Sequence, residues 1–435
     1  MNRIIAHRPT ADPIELAKQA TPDDTLAESF GLFTPAAVRD PYPIYHALRE
    51  HEPVHWSARA GAWLCTRYSD VFELQSRPDL SVDRVETLWS YLPRAGHERF
   101  SSVVEHYTRW LLYRDDAYHD RLKMLLMRAL TPRAIDLMRP RIARRVTELL
   151  DGLAARETFD AYLDFAARLP VLVMIDLLGL PSADEAMIRH WSDRNSNFLF
   201  QPVAPDQEKM GREQLDILDA QEDYFLPIIR ARRDRPGADL ISAMVQAEVD
   251  GERLTDLEVF ANCNMMAVAG GGTSRSAISL ALLSLQRFPA ELAKLRERPQ
   301  LINLAAEEFL RFEAPTQRGI RTAREDFLLG DTPIRRGDIL HIMIGAANRD
   351  PAQFADPDAL NIERNPNRHA TLGHGVHYCL GANLARMELR LAVGGFVERF
   401  PNYRLATDDI VFMDRTASRR LTALPVQVGA GNPSR

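Results

Sequence analysis

The densest run of reactive side chains is His369-Ala-Thr-Leu372-Gly373-His374-Gly375-Val-His377-Tyr-Cys379-Leu-Gly381-Ala-Asn-Leu-Ala-Arg386. Three histidines and a cysteine are the side-chain types that hold zinc. A single thiolate can instead hold haem iron, pushing electron density onto the metal and favouring O–O cleavage. A lone cysteine is also commonly just a small buried hydrophobe. Glycines at 373, 375 and 381 permit tight turns and close backbone approach. A helix starting just past Cys379 would aim free N–H groups and its positive dipole end at the sulfur, which favours the thiolate. The spacing alone leaves all three readings open.

A second stretch, from Thr255 to Phe288, is apolar on nearly every face, the mark of a helix buried in the middle of a large protein. Ala269-Gly270-Gly271-Gly272-Thr273-Ser274 interrupts it, and three interior glycines cost about 3 kcal/mol of helix propensity. Either a neighbouring helix packs closely there, or a flat ligand lies along the groove with the Thr273 hydroxyl beside it. No Asp or Glu occurs from Val259 to Ala290. A third feature, Glu308-Phe-Leu-Arg311, is an acid and a base three residues apart; by itself that reads as a solvated helix pair worth little.

The elements that must position these residues are mostly helical. Thr131 before Pro132 is a helix start, and Ser182 with Glu185 and Thr255 with Glu258 have capping-box spacing. Residues 53–56 and 62–66 read as two short strands around Gly61, and strand-like pieces recur after residue 312. A last helix is expected from about Gly381 to Phe400. The 435 residues carry 54 basic and 60 acidic side chains, a net charge of −6, which argues against a dedicated nucleic-acid binder. Three widely separated cysteines imply no disulfide framework. The stretch from Leu169 to Leu180 is broken by Pro170 and Asp176 and is too short for a bilayer span. The N-terminal residues contain no run resembling a signal peptide. A cytoplasmic protein without a membrane anchor is expected.

Taken together, these residues resemble the cytochrome P-450 family. The loop is similar to its haem-binding signature, Phe-x-x-Gly-x-x-x-Cys-x-Gly, at Gly375, Cys379 and Gly381, with Leu372 in the Phe position. Glu308 and Arg311 resemble the family's Glu-x-x-Arg helix, and Arg364 would complete a buried triad that locks the cysteine loop. The glycine helix resembles the oxygen-binding helix, with Gly270 and Gly271 against the cofactor and Thr273 and Ser274 as catalytic hydroxyls. His119 and Lys123 resemble a His-x-x-x-Arg propionate motif, and Arg321 and His377 two further propionate ligands. The resemblance runs from about residue 40 to 400, and a zinc loop would predict none of it.

The resemblance implies a mainly α triangular-prism fold with small β-sheets, a surface segment over 1–35 and one domain over 36–435. It implies haem b, bound through Cys379 with Leu372, Gly373 and Gly381 beside it. It also implies O2, a small or medium apolar organic substrate, and electrons from a ferredoxin or flavodoxin. Arg121, Arg128, Arg386 and Arg390 are candidate contacts for that partner. The aromatic 84–110 segment and Phe198–Phe200 would line the substrate chamber. Four residues depart from the pattern. Gly272 stands where the family has an acid, so proton delivery rests on Thr273, Ser274, water or substrate. This leaves room for peroxide-driven turnover, dehydrogenation or ring coupling, or for a non-catalytic haem sensor or carrier. Leu372 removes an aromatic cover, Lys123 loses the planar guanidinium fork, and Arg275 is unexpected in so apolar a helix.

Overall fold

The structure, a computed structural model, describes residues 32, 34–94, 97–200, 206–414 and 417–428. Nearly all of the expected 1–35 surface segment lies outside the described residues. The principal helices are α1 (Asp116–Ala129), α2 (Arg139–Asp151), α3 (Leu169–Leu178), α4 (Glu185–Phe200), α5 (Gln207–Asp234), α6 (Asp256–Arg287), α7 (Ile302–Phe312) and α8 (Ala382–Arg399).

The all-round apolarity of α6 is explained by its position. Helices α3, α4, α5, α7 and α8 pack around it, and most of its 32 residues are buried. Its start is fixed by the capping box: Thr255 accepts from the Glu258 N–H while the Glu258 carboxylate accepts from the Thr255 N–H at 2.9 Å. The apolar stretch at 169 forms the short buried helix α3, ended by left-handed Gly179 (φ 71°); a Cβ there would stand 2.5 Å from Asp239.

Ser182 and Glu185 depart from the capping-box expectation. A single 3-10 turn occupies Ser182–Asp184. The Ser182 hydroxyl accepts from Arg145 at 2.6 Å, and Glu185 accepts two bonds from Arg168. Both side chains are drawn to partners on other elements. Thr131 does cap as expected, accepting from the Ala134 N–H at 3.1 Å.

The main sheet has five strands: β1 (Val54–Ser57), β2 (Ala62–Cys65), β3 (Leu80–Ser81), β4 (Gly319–Ala323) and β5 (Ile339–Ile342), in the order β1-β2-β5-β4-β3. Only β2 and β5 run parallel, and β4 pairs with β5 so that Ile320 faces His341. Gly61, at φ 57°, makes the turn between β1 and β2. Among the described residues no helix is long and apolar enough to cross a membrane.

Thr255→Ala is expected to lower stability by about 1 kcal/mol, read as a lower urea midpoint. An unchanged midpoint would show that the other bonds of Glu258 hold this helix end without the cap.

Candidate active site

The loop carrying Cys379 is tied to the helical core before it reaches the sulfur. The Thr371 hydroxyl donates to the Leu310 carbonyl of α7 at 2.7 Å, and the Ala370 N–H donates to the Asn348 side chain at 2.8 Å. Gly373 (φ 76°) and Gly375 (φ 70°) then turn the chain, and a Cβ on Gly375 would sit 3.0 Å from the Ser76 Cα. The Cys379 N–H donates back to the Leu372 carbonyl at 2.9 Å, closing the loop. Gly381 has an ordinary backbone (φ −88°) and sits at the N-cap of α8. Its contribution is space, since a Cβ there would meet nothing within 4 Å.

The Cys379 thiol is partly exposed. Burial pushes its pKa up, against the Gly381 N–H and the Arg386 charge, which favour the anion. The helix start therefore helps the thiolate as expected but does not outweigh desolvation. A directly bound cation would supply what is missing, because a coordinating thiol is deprotonated outright.

Glu308 and Arg311 are wholly buried and paired through two bonds of 2.7 Å. Arg364 donates to the same carboxylate at 3.1 and 3.3 Å, and Asn367 and the Asn361 N–H add bonds of 3.0 and 2.9 Å. Arg311 also donates to the carbonyls of Asn348, Pro357 and Ala359. The pair is thus a buried junction, unlike the solvated pair its spacing alone suggested.

The histidines of the loop disperse. His374 stacks on Phe72 at 4.0 Å, His369 lies by Glu307, and His377 turns to Asp115 at 3.3 Å. Among the described residues no group of three or more His, Cys, Asp or Glu is placed to hold a metal, so the zinc reading falls.

The glycines of α6 face different things. A Cβ on Gly270 would press on the Met174 sulfur of α3 at 3.3 Å, and one on Gly271 would meet the Ser192 hydroxyl of α4 at 3.5 Å. Close helix packing therefore explains these two. A Cβ on Gly272 would meet nothing within 4 Å, and Ala269 and Thr273 are exposed although α6 is buried on either side. This is an opening in the middle of the core. The Thr273 hydroxyl donates to the Ala269 carbonyl at 2.6 Å. Ser274 is buried beside Glu388 of α8, whose Oε1 has no hydrogen-bond partner among the described residues. Arg275 has a partner after all: it reaches Asp193 of α4 at 2.8 Å and donates to the Gly271 carbonyl.

At a third edge, cations collect. The His119 and His377 rings lie 4.6 Å apart, and Lys123 donates to the Val376 carbonyl. Arg321 of β4 donates only to the Ile320 carbonyl and is pushed down to about 10 by burial and by the Arg84 charge. Two acids reach this edge, Asp120 at 3.0 Å from His119 and, beside His377, Asp115. Burial opposes ionisation of Asp115, yet His377, Ser81 and Arg324 hold it below the usual carboxylate range.

Comparison with known proteins identifies what this arrangement is. The cytochrome P450 family model matches residues 104–419, more than half of the chain. This chain belongs to the cytochrome P450 family. Cytochrome P450 107B1 of Saccharopolyspora erythraea is 36% identical over 92% of this chain and 97% of its own. The polyketide-biosynthesis cytochrome P450 PksS of Bacillus subtilis is 34% identical over 89% of this chain and 96% of its own. The crystal structure of P450BioI with an acyl carrier protein bearing hexadec-9Z-enoic acid superposes with a TM-score of 0.83 at 30% identity, covering 91% of this chain and 99% of that one.

The fold is accordingly the mainly α P450 fold with small sheets, and the cofactor is haem b. The residues present fit that group. A thiol stands at one wall, an opening interrupts α6, and a basic edge carries Arg321, with no carboxylate in ion-pair contact among the described residues, suited to the porphyrin's acidic side chains.

Two groups here had no signal in the sequence. Glu388 sits in an unremarkable stretch of α8, and Asp115 in an ordinary acidic pair; only packing brings them to Ser274 and His377.

Glu308→Ala is expected to cost about 3–5 kcal/mol, because Arg311 is left charged and buried without its carboxylate. Haem absorbance per chain and the denaturation midpoint should both fall. Full haem content at an unchanged midpoint would contradict the role of this junction.

Proposed function

We propose that this P450 is a monooxygenase that uses O2 at Cys379-ligated haem to hydroxylate a small or medium-sized, largely apolar organic molecule. Ferredoxin or flavodoxin would supply the electrons, and the enzyme would work in the cytoplasm as one domain over residues 36–435. The observation carrying this reading is the Cys379 loop itself: a thiol at the start of α8, with the Gly381 N–H and Arg386 favouring its anion, on a loop locked to Glu308–Arg311. Haem, when bound, supplies the oxygen activation. His119, Lys123, Arg321 and His377 would hold its carboxylates, and Gly272 would leave room along α6.

Proton handling belongs to this chain's own side chains. Thr273 faces the opening and can exchange its bond to Ala269 for one to water. Ser274 lies beside Glu388, whose carboxyl is pushed up to about 8 by burial, with Ser274 pulling the other way. Glu388 is therefore protonated at neutral pH and can hold the proton that the missing acid at 272 does not.

Three of the arginines expected to meet the redox partner are occupied within the protein. Arg121 holds Glu258, while Arg386 and Arg390 share Glu307. Arg128 stays exposed near Met124 and Met127 of α1, and Val376 and Tyr378 of the cysteine loop are exposed as well. We assign partner docking to this mixed apolar and basic face.

Reduced, carbon-monoxide-treated protein should show the thiolate-type Soret band, and substrate should be consumed with a ferredoxin and its reductase. Cys379→Ala should lose both. Product formation surviving in that variant would remove the reading.

The raised Glu388 value has a defined pH signature. Its folded pKa lies above the unfolded carboxylate value, so stability falls as pH rises from about 4.5 to about 8. Product formed per electron should fall as pH passes 8. Glu388→Gln should flatten both profiles and divert electrons to peroxide at pH 7. A flattened stability profile with unchanged coupling would make Glu388 structural only.

A further inference from the structure

Buried arginines in this protein are almost always neutralised. Arg311 has Glu308, Arg419 has Glu313, and Arg275 and Arg420 share Asp193. Arg84, Arg318 and Arg321 are half-buried and differ: among the described residues none has a carboxylate within ion-pair distance. All three gather around one pair of residues on adjoining strands. Arg84 and Arg321 both donate to the Ile320 carbonyl, at 3.4 and 3.0 Å, so their guanidinium groups share one acceptor. Across the sheet His341 is in register with Ile320, and Arg318 contacts the His341 ring nitrogen at 3.1 Å. The Nε of Arg318 is buried and has no partner among the described residues.

The acids nearest this cluster are committed elsewhere. Asp115 serves Ser81, Val82, His377 and Arg324, and Asp83 is exposed and accepts from the Val85 N–H. Burial lowers the pKa of each arginine, and Arg84 adds its charge against Arg318 and Arg321. His341 is pushed well down by burial and by the same arginines, so it stays neutral. Tyr91, which feels both Arg84 and Arg318, leads from the cluster to an edge-on contact with Phe198 of α4 at 5.9 Å.

The porphyrin's two carboxylates would engage Arg321 with His119, Lys123 and His377. That leaves Arg84 and Arg318 beyond what the cofactor requires. We infer that the substrate is an organic acid whose carboxylate docks on Arg318 and Arg84 while its apolar body lies along the opening in α6. The inference rests on the haem-thiolate reading above and sharpens its substrate class. A guanidinium that is half-buried without a carboxylate gains charge-assisted hydrogen bonds from a bound carboxylate that an ester cannot match.

The test is a spin-state titration of the haem-loaded protein. The probes are straight-chain C8 to C16 fatty acids and ω-phenylalkanoic acids, each beside its methyl ester. At least one acid should bind about tenfold or more tightly than its ester. Arg318→Leu should bring the two within about threefold, and Arg318→Lys should restore part of the preference. Arg84→Leu should weaken acids more than esters. The carbon-monoxide Soret band, recorded for each variant, separates this question from haem binding. A thiolate-type band with no acid outbinding its ester, or with the preference intact in Arg318→Leu, would overturn the inference. Loss of the band in the parent protein would instead defeat the haem-thiolate reading.

Discussion

A carboxylate and a guanidinium, both fully withdrawn from water, hold the reactive loop in place. Two such charges alone would lose more hydration than their attraction returns. Here Glu308 is surrounded by Arg311, Arg364, Asn367 and the Asn361 N–H, so its oxygens are well supplied with donors. Arg311 spends its remaining donors on three carbonyls of the 348–359 segment. That segment cannot shift without uncovering a buried charge. Cys379 follows from it through Asn348 to Ala370 and through Thr371 to α7. The ion pair therefore acts chiefly as a register pin for the thiolate.

The central helix meets two demands with one glycine run. Gly270 and Gly271 bring α3 and α4 close, while Gly272, with exposed Ala269 and Thr273, keeps one face open. A helix packed tightly on every face would leave no room for a planar ligand; one open along its length would lose its core. Restricting the opening to about one turn lets α6 serve as both spine and chamber wall. That turn carries no acid although Gly272 has room for a side chain, and the nearest buried carboxyl behind it is Glu388 of α8.

Charge is distributed in the same economical way. The fully buried arginines each reach an acid, some sharing one, whereas Arg84, Arg318 and Arg321 gather without a carboxylate partner among the described residues at the strand pair Ile320–His341. Unmatched charge in a low-dielectric site attracts anions strongly. Its concentration on one side of the cysteine loop fits a site that receives acidic groups from both cofactor and substrate.

Much of this was legible in the residues because the controlling interactions are local. Turn-forming glycines, the Thr255 cap, the all-round apolarity of α6 and the cysteine loop each act over neighbouring positions, and the chain adopted them nearly where they were read. The Ser182 cap was misread because Arg145 and Arg168, distant in sequence, compete for its two members. Arg275 looked anomalous until α4 brought Asp193 beside it. Glu388 and the unpaired Arg84 and Arg318 carry no local signal, since their meaning lies in which charges stand near them once helices and strands are packed. The residue motifs, taken together as a resemblance, were enough to name the family. Which side chains remain unneutralised, and hence what kind of molecule the chamber favours, is a property of neighbours that meet only in three dimensions.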